Sequence, residues 1–202
     1  MFVKSTNIFE VEHKVTREQR WARNGHKAAV VWFTGLSASG KSTLAIRLEQ
    51  RLFDLGHQVY VLDGDNMRRK LCADLGFSAH DREENIRRIG EVAALFAESG
   101  QIVISAFISP YRADRALARR AVGDNFHEIY LSADVEICAR RDPKGLYAKA
   151  RKGEIDNLTG VSAPYEVPKT PDLTIDTGTL SVDESLDILV DYVMRNMALS
   201  GD

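Results

Sequence analysis

The chain has 202 residues, 44% of them hydrophobic and 28% charged, with a formal net charge of −2. That length and balance suit one domain with a full core and exclude a largely disordered chain. The slightly acidic charge argues against a general nucleic-acid binder. Two cysteines, Cys72 and Cys138, are too few for a disulfide scaffold or a zinc site, and no apolar run reaches the about 18 residues that cross a bilayer.

Residues 1–27 are mixed and charged without a period, and read as an extended arm ahead of a domain over 28–202. The first fourteen are too polar for a secretory leader, so the cytoplasm is the expected location, with both thiols reduced. Thr16, with Gln19 three residues on, forms a capping box for a short helix to Arg23. Ala28–Thr34 is a nearly continuous apolar run, as a strand buried on both faces requires. A Gly-rich turn follows, then a helix with Leu44, Leu48, Leu52 and Leu55 inward and Gly56 as its cap. Gln58–Leu62 is a second strand ending in the turn Asp63-Gly64-Asp65-Asn66.

Asp81 to Ser99 is strongly helical, with Ile86, Ile89, Val92, Ala93 and Phe96 as its apolar stripe and Gly100 ending it. Ile102–Phe107 is the third strand. An arginine-rich helix runs from about Tyr111 to Val122, with Pro110 suited to its start and Ser109 to its N-cap. Phe126–Leu131 and Leu173–Asp176 are the fourth and fifth strands, and Val182–Met197 is a last helix with Leu186, Leu189, Val190 and Val193 inward. Strands alternating with helices predict a parallel α/β sheet of about five strands, covered on both faces in three layers. The stretch from 142 to 170 lacks a core pattern, which marks a lid or binding loop.

Gly35-Leu36-Ser37-Ala38-Ser39-Gly40-Lys41-Ser42 fits G-x-x-x-x-G-K-[ST] (Walker A) between a buried strand and an amphipathic helix. Chance would match the four fixed positions in about one chain of this length per hundred. Such a loop turns successive backbone N–H groups toward one anion, and the helix adds its positive end. Lys41 is placed for the β- and γ-phosphates of a nucleoside triphosphate, and the Ser42 hydroxyl for Mg²⁺. The third strand ends without a carboxylate. The second instead delivers Asp63 and Asp65 to the edge where open α/β sheets hold ligands. One of them is expected to hold the metal, the other to orient or deprotonate an acceptor hydroxyl.

Arginines crowd the residues beyond these strands: Arg68, Arg69, Arg82, Arg87, Arg88, Arg112, Arg115, Arg140 and Arg141. In an acidic chain they point to a second anionic ligand facing the triphosphate, a phosphate or sulfate that suits arginine's planar fork. Phe77, in a polar neighbourhood, is either a purine-stacking side chain or a core residue. Ser109 is either a helix cap or a ligand contact.

These motifs together resemble adenylylsulfate kinase: GLSASGKST (35–43), DGDNMR (63–68), LGFSAHDREENIRRIGEVA (75–93), FISPYR (107–112), RDPKGLYAKAR (141–151) and LTGVSAPYE (158–166). The resemblance implies a P-loop kinase fold with a mobile lid over about 141–166, Mg²⁺, a homodimer, and no nucleic-acid or membrane partner. The implied reaction converts ATP and adenosine 5′-phosphosulfate to ADP and 3′-phosphoadenosine 5′-phosphosulfate, the activation of sulfate. It implies that Thr43 and Arg141 join the loop in holding ATP, Arg141 against the adenine. It implies that Arg68, Phe77, Arg82, Asn85, Ile108, Ser109, Lys144, Gly145 and Leu146, with Asp65, hold the sulfonucleotide. Ser42 and Asp63 would hold the metal, and Ser109 corresponds to a phosphoserine described in the family, though in-line transfer needs no covalent step. Two departures stand out: Ala38 replaces a glycine common in the family, and the arm has no cysteine for a thiol switch. The single-function form, without a sulfurylase, is expected. Rival readings are a small-molecule kinase with another acceptor, a nucleotide-dependent regulatory subunit, and a structural module with a vestigial loop.

Overall fold

A computed structural model of the chain describes residues 6–9 and 11–199; the start of the expected arm, Glu10 and the last three residues lie outside it. Helix α1 (Arg17–Asn24) begins with the capping box of Thr16 and Gln19. The strands are β1 (Ala29–Thr34), β2 (Val59–Asp63), β3 (Ile102–Ala106), β4 (Phe126–Ser132) and β5 (Leu173–Asp176), all parallel in the order β2-β3-β1-β4-β5. Parallel strands need cover on both faces, and every residue of central β1 is buried.

One face packs Val31, Phe33, Ile104, Ile129 and Leu131 against α2 (Lys41–Asp54) and α8 (Val182–Asn196) through Leu44, Leu48, Leu52, Leu189 and Val193. The other packs Val30, Trp32, Val103 and Phe126 against α4 (Ala79–Glu98) and α5 (Arg112–Val122) through Ile86, Ile89, Ala93 and Ala118. Burying a leucine of this kind contributes about 2–3 kcal/mol. Leu55, expected inward, is 47% exposed, because α2 ends at Asp54 and the chain turns away through Gly56 at φ +86°.

Three local expectations change. Asp63–Asn66 is not a turn: Asp63 closes β2 and its carboxylate caps a short helix α3 (Gly64–Arg68). Helix α4 starts two residues early, because Ser78 caps it through the Asp81 N–H. Ser109 is not the cap of α5; Tyr111 holds that position without a side-chain bond, and Ser109 sits at φ +39° in the preceding loop. The stretch from 142 is less irregular than its composition suggests. After α6 (Val135–Arg141) comes α7 (Leu146–Arg151), whose Tyr147 joins Leu36, Cys138 and Leu158 in a third apolar cluster beneath the Gly-rich loop.

Candidate active site

The β1–α2 loop crosses the C-terminal edge of the sheet at its centre, beside the ends of β3 and β4. Gly35 has no room for a side chain: a Cβ there would lie 2.6 Å from the Leu131 carbonyl oxygen. Ala38 takes φ +62°, so the departure at this position carries left-handed strain of about 1 kcal/mol. Lys41 is buried, and its ammonium donates to the carbonyls of Gly35 (3.0 Å) and Leu36 (2.5 Å) and to Ser39 Oγ (3.4 Å). Burial lowers its pKa to about 8, and the Lys144 charge pulls the same way.

The Ser42 hydroxyl donates to Asp63 Oδ2 at 2.7 Å, while Asp63 Oδ1 accepts from the N–H groups of Asp65 and Asn66. One carboxylate thus faces the phosphate loop and locks the start of α3. Hydroxyl and carboxylate oxygens are the hard ligands Mg²⁺ prefers, and it takes few of them from protein when phosphates and water complete its shell. The pair fits such an ion. No cluster of three or more His, Cys, Asp or Glu side chains suited to a metal occurs among the described residues. Asp65 stands apart from Ser42, exposed, in an ion pair with Lys144 from the 141–166 segment.

Across from the cradle, Phe77 is 62% exposed and therefore not a core residue. The Arg68 guanidinium lies 4.5 Å from its ring centroid and that of Arg82 5.7 Å. Arg68 donates to the carbonyls of Leu75 and Gly76. Arg82 donates to the Phe77 and Asn157 carbonyls and to Thr159 Oγ1, lacing α4 to the 141–166 segment. Asn85 is buried with its Oδ1 unpartnered, an acceptor for which the protein offers no donor. Ile108 and Ser109 follow β3 in the same region. The Ser109 side chain turns inward: it is 2% exposed, and its Oγ accepts from Trp32 Nε1 at 3.1 Å. Gly145, at φ +66°, caps α7, and Leu146 begins it.

Of the crowded arginines, several serve the scaffold. Arg87 and Arg88 pair with Glu84, Arg88 also with Asp74, and Arg115 with Glu128. Arg141 lies at the other end of the cradle, donating to the Thr177 carbonyl at 2.5 Å.

Three residues that the sequence reading passed over also hold the cradle. Thr177 Oγ1 donates to the carbonyls of Ser39 and Ser132. Thr34 Oγ1 donates to the Ile108 carbonyl and meets the Tyr165 hydroxyl. Tyr147 donates to the Ser37 carbonyl. Thr34 and Thr177 each end or follow a strand at the ligand edge, which was the available signal. A separate groove of about 540 Å³, lined by Leu36, Tyr130, Asp134, Val135 and Tyr165 among others, shares only Leu36 with the expected site residues.

Comparison with known proteins agrees with this geometry. The family model described as adenylylsulphate kinase matches residues 27–176. An adenylyl-sulfate kinase from Prochlorococcus marinus is 55% identical over 196 residues, covering 96% of this chain and 98% of the relative. The structure of the Mycobacterium tuberculosis APS kinase in complex with AMPPNP and APS superposes with a TM-score of 0.79 at 49% identity, covering 82% of this chain and 96% of that one. A hexameric APS kinase from Thiobacillus denitrificans matches at TM-score 0.64 and 35% identity, over 85% of this chain and 29% of that one. With a family model matched over residues 27–176 and a relative 55% identical across 96% of it, the chain belongs to the adenylylsulphate kinase family.

Proposed function

We propose that this protein transfers the γ-phosphoryl group of ATP to the ribose 3′-hydroxyl of adenosine 5′-phosphosulfate, giving 3′-phosphoadenosine 5′-phosphosulfate and ADP. The observation that carries this reading is the pairing of two unlike anion sites on one sheet edge. One is a backbone cradle with Lys41; the other is an aromatic face flanked by Arg68 and Arg82. An aromatic ring with guanidinium groups beside it matches a purine that carries an anionic tail.

In this reading the loop 35–43 holds the phosphates and Arg141 borders the ATP adenine. Ser42 and Asp63 hold Mg²⁺, which when bound neutralises charge on the β- and γ-phosphates. Lys41 and the loop N–H groups stabilise charge on the transferring group. Asp65 is the carboxylate for the 3′-hydroxyl, since Asp63 is engaged by Ser42 and the start of α3. Arg68, Phe77, Arg82, Asn85, Ile108, Lys144, Gly145 and Leu146 hold the sulfonucleotide. Ser109 shapes that pocket through its bond to Trp32 rather than as a phosphorylated intermediate. The segment 141–166 acts as the lid, tied down by Arg82 and Lys144 and excluding water as a competing acceptor.

Free, buried Cys72 and Cys138 support a reducing, cytoplasmic setting. The homodimer is read from the family resemblance; sedimentation equilibrium distinguishes it from a monomer or a larger ring. The reaction itself is tested by mixing protein with Mg-ATP and adenylylsulfate and resolving the nucleotides by chromatography, with AMP, gluconate and no acceptor as controls. A phosphorylated sulfonucleotide formed with adenylylsulfate alone is expected. ATP consumption with another acceptor only, or ATP binding without transfer, would overturn the assignment.

A further inference from the structure

Lys144 and Tyr147 lie one helical turn apart and point to different places. Gly145, in the left-handed conformation, starts α7 between them. Lys144 reaches outward to pair with Asp65. Tyr147 reaches inward, 2% exposed, with its ring against Leu36, Cys138 and Leu158. Its hydroxyl donates to the Ser37 carbonyl at 3.0 Å. Among the described residues this is the one hydrogen bond from the 141–166 segment to the loop 35–42. The segment's remaining contacts there are apolar: Leu158 and the Tyr147 ring pack with Leu36, and Gly160 lies so close that a Cβ on it would be 2.7 Å from Leu36 Cδ2. Ring packing and steric contact set a distance, whereas the hydroxyl fixes a register: it ties the first turn of α7 to one particular carbonyl of the phosphate loop. Burial pushes the phenol well above its ordinary pKa, so it stays a donor across the working pH range.

We infer that Tyr147 is a positioning residue for the acceptor side, acting through Lys144: its hydroxyl sets where the 144–146 turn stands relative to the phosphate loop. This rests on Lys144 being an acceptor contact. The loop keeps a second tie that does not involve this bond, Thr177 on the Ser39 carbonyl. ATP binding therefore separates from acceptor binding.

The test is a kinetic cycle of Tyr147→Phe and Lys144→Met in the full chain, with adenylylsulfate and ATP varied in turn. Tyr147→Phe keeps the ring that fills the cluster, so the thermal midpoint serves as the control for folding. The expected result is an acceptor KM raised about fivefold, as for one lost neutral hydrogen bond, with ATP KM unchanged and the thermal midpoint lowered by no more than the about 2–4 °C that one such bond is worth. In the Lys144→Met background the same substitution is expected to change nothing further. An unchanged acceptor KM in Tyr147→Phe, equal rises in both KM values, or a fivefold effect that persists without Lys144 would overturn the inference. Lys144→Met alone leaving acceptor KM at the parent value would instead remove the site assignment beneath it.

Discussion

In the proposed reading, the phosphate cradle (35–42) and the acceptor clamp around Phe77 solve one problem, holding an anion, with different materials. The cradle is eight consecutive residues whose backbone does the holding, and Gly35, Ser39 and Lys41 are buried in it. The clamp is assembled from α3, the loop before α4, α4 itself and the 141–166 segment, and its side chains range from exposed Phe77 and Lys144 through half-buried Arg68 and Arg82 to buried Asn85. In the cradle, dihedral angles fix the geometry. In the clamp, each cation is held on a protein acceptor: Arg68 on the carbonyls of Leu75 and Gly76, Arg82 on those of Phe77 and Asn157, Lys144 on Asp65. Exposed pairs of this kind are worth at most about 1 kcal/mol, so a ligand exchanges them readily. The cradle is thus preformed and the clamp is exchangeable.

The comparison is broken most directly by removing one member of the cradle. Lys41→Ala and Asp63→Ala are each expected to lower kcat by about 10²–10³-fold with the protein still folded; near-parental turnover in Asp63→Ala would end the role given to that carboxylate. Arg82→Ala, in the clamp, is expected to raise the adenylylsulfate KM about tenfold while kcat changes little. An equal loss in kcat would place Arg82 on the reacting group rather than on the bound acceptor.

Lys41 gives the comparison a pH dependence. Its pKa of about 8 lies below that of a free lysine, because burial disfavours the charged form. Between about pH 8 and 10.5 the unfolded chain binds a proton that the folded one does not, so this group favours folding increasingly as pH rises through that window. Phosphate charge restores the proton. ATP affinity is therefore expected to weaken above pH 8, with up to one proton taken up on binding at pH 9 and none from Lys41 at pH 6.5. Calorimetry in two buffers of different ionisation enthalpy measures this, and no uptake at pH 9 would contradict the buried ammonium. The smallest effect belongs to Ala38→Gly. Relief of the left-handed strain, partly offset by glycine's greater freedom when unfolded, is expected to raise Tm by about 2 °C.

The same contrast explains what the sequence disclosed. The five strands and the cradle were legible because their signals are local: apolar runs in β1 and β3, shorter or interrupted apolar patterns in β2, β4 and β5, and a motif in which spacing alone brings the groups together. Ser78 as a cap, α3 in place of a turn, and the inward Ser109 were missed because each depends on which nearby group is free to bond. For the clamp, charge and composition had already suggested Arg68, Arg82 and Phe77, while Asn85, Ile108, Lys144 and Leu146 came only through family resemblance, since the side chains come from residues as far apart as Asp65 and Lys144. Composition overcounted it: Arg87, Arg88 and Arg115 belong to the ion pairs of α4 and α5, not to the acceptor. Glu84, three and four residues before Arg87 and Arg88 on one helix, was the available local signal for those two pairs; the partner of Arg115 comes from β4 and left none.

Trp32 gives the molecule an optical consequence. It is fully buried, stacked 5.8 Å from Phe107, and its indole N–H is bonded to Ser109 in the loop that follows β3. Any shift of that loop alters the polarity and hydrogen bonding around the indole, and with them its ultraviolet emission. The other tryptophan, Trp21, lies on α1, so Trp21→Phe leaves Trp32 as the single tryptophan, which selective excitation separates from the six tyrosines. Binding at the acceptor side can then be followed in unlabelled protein, in real time and before any phosphoryl group has moved.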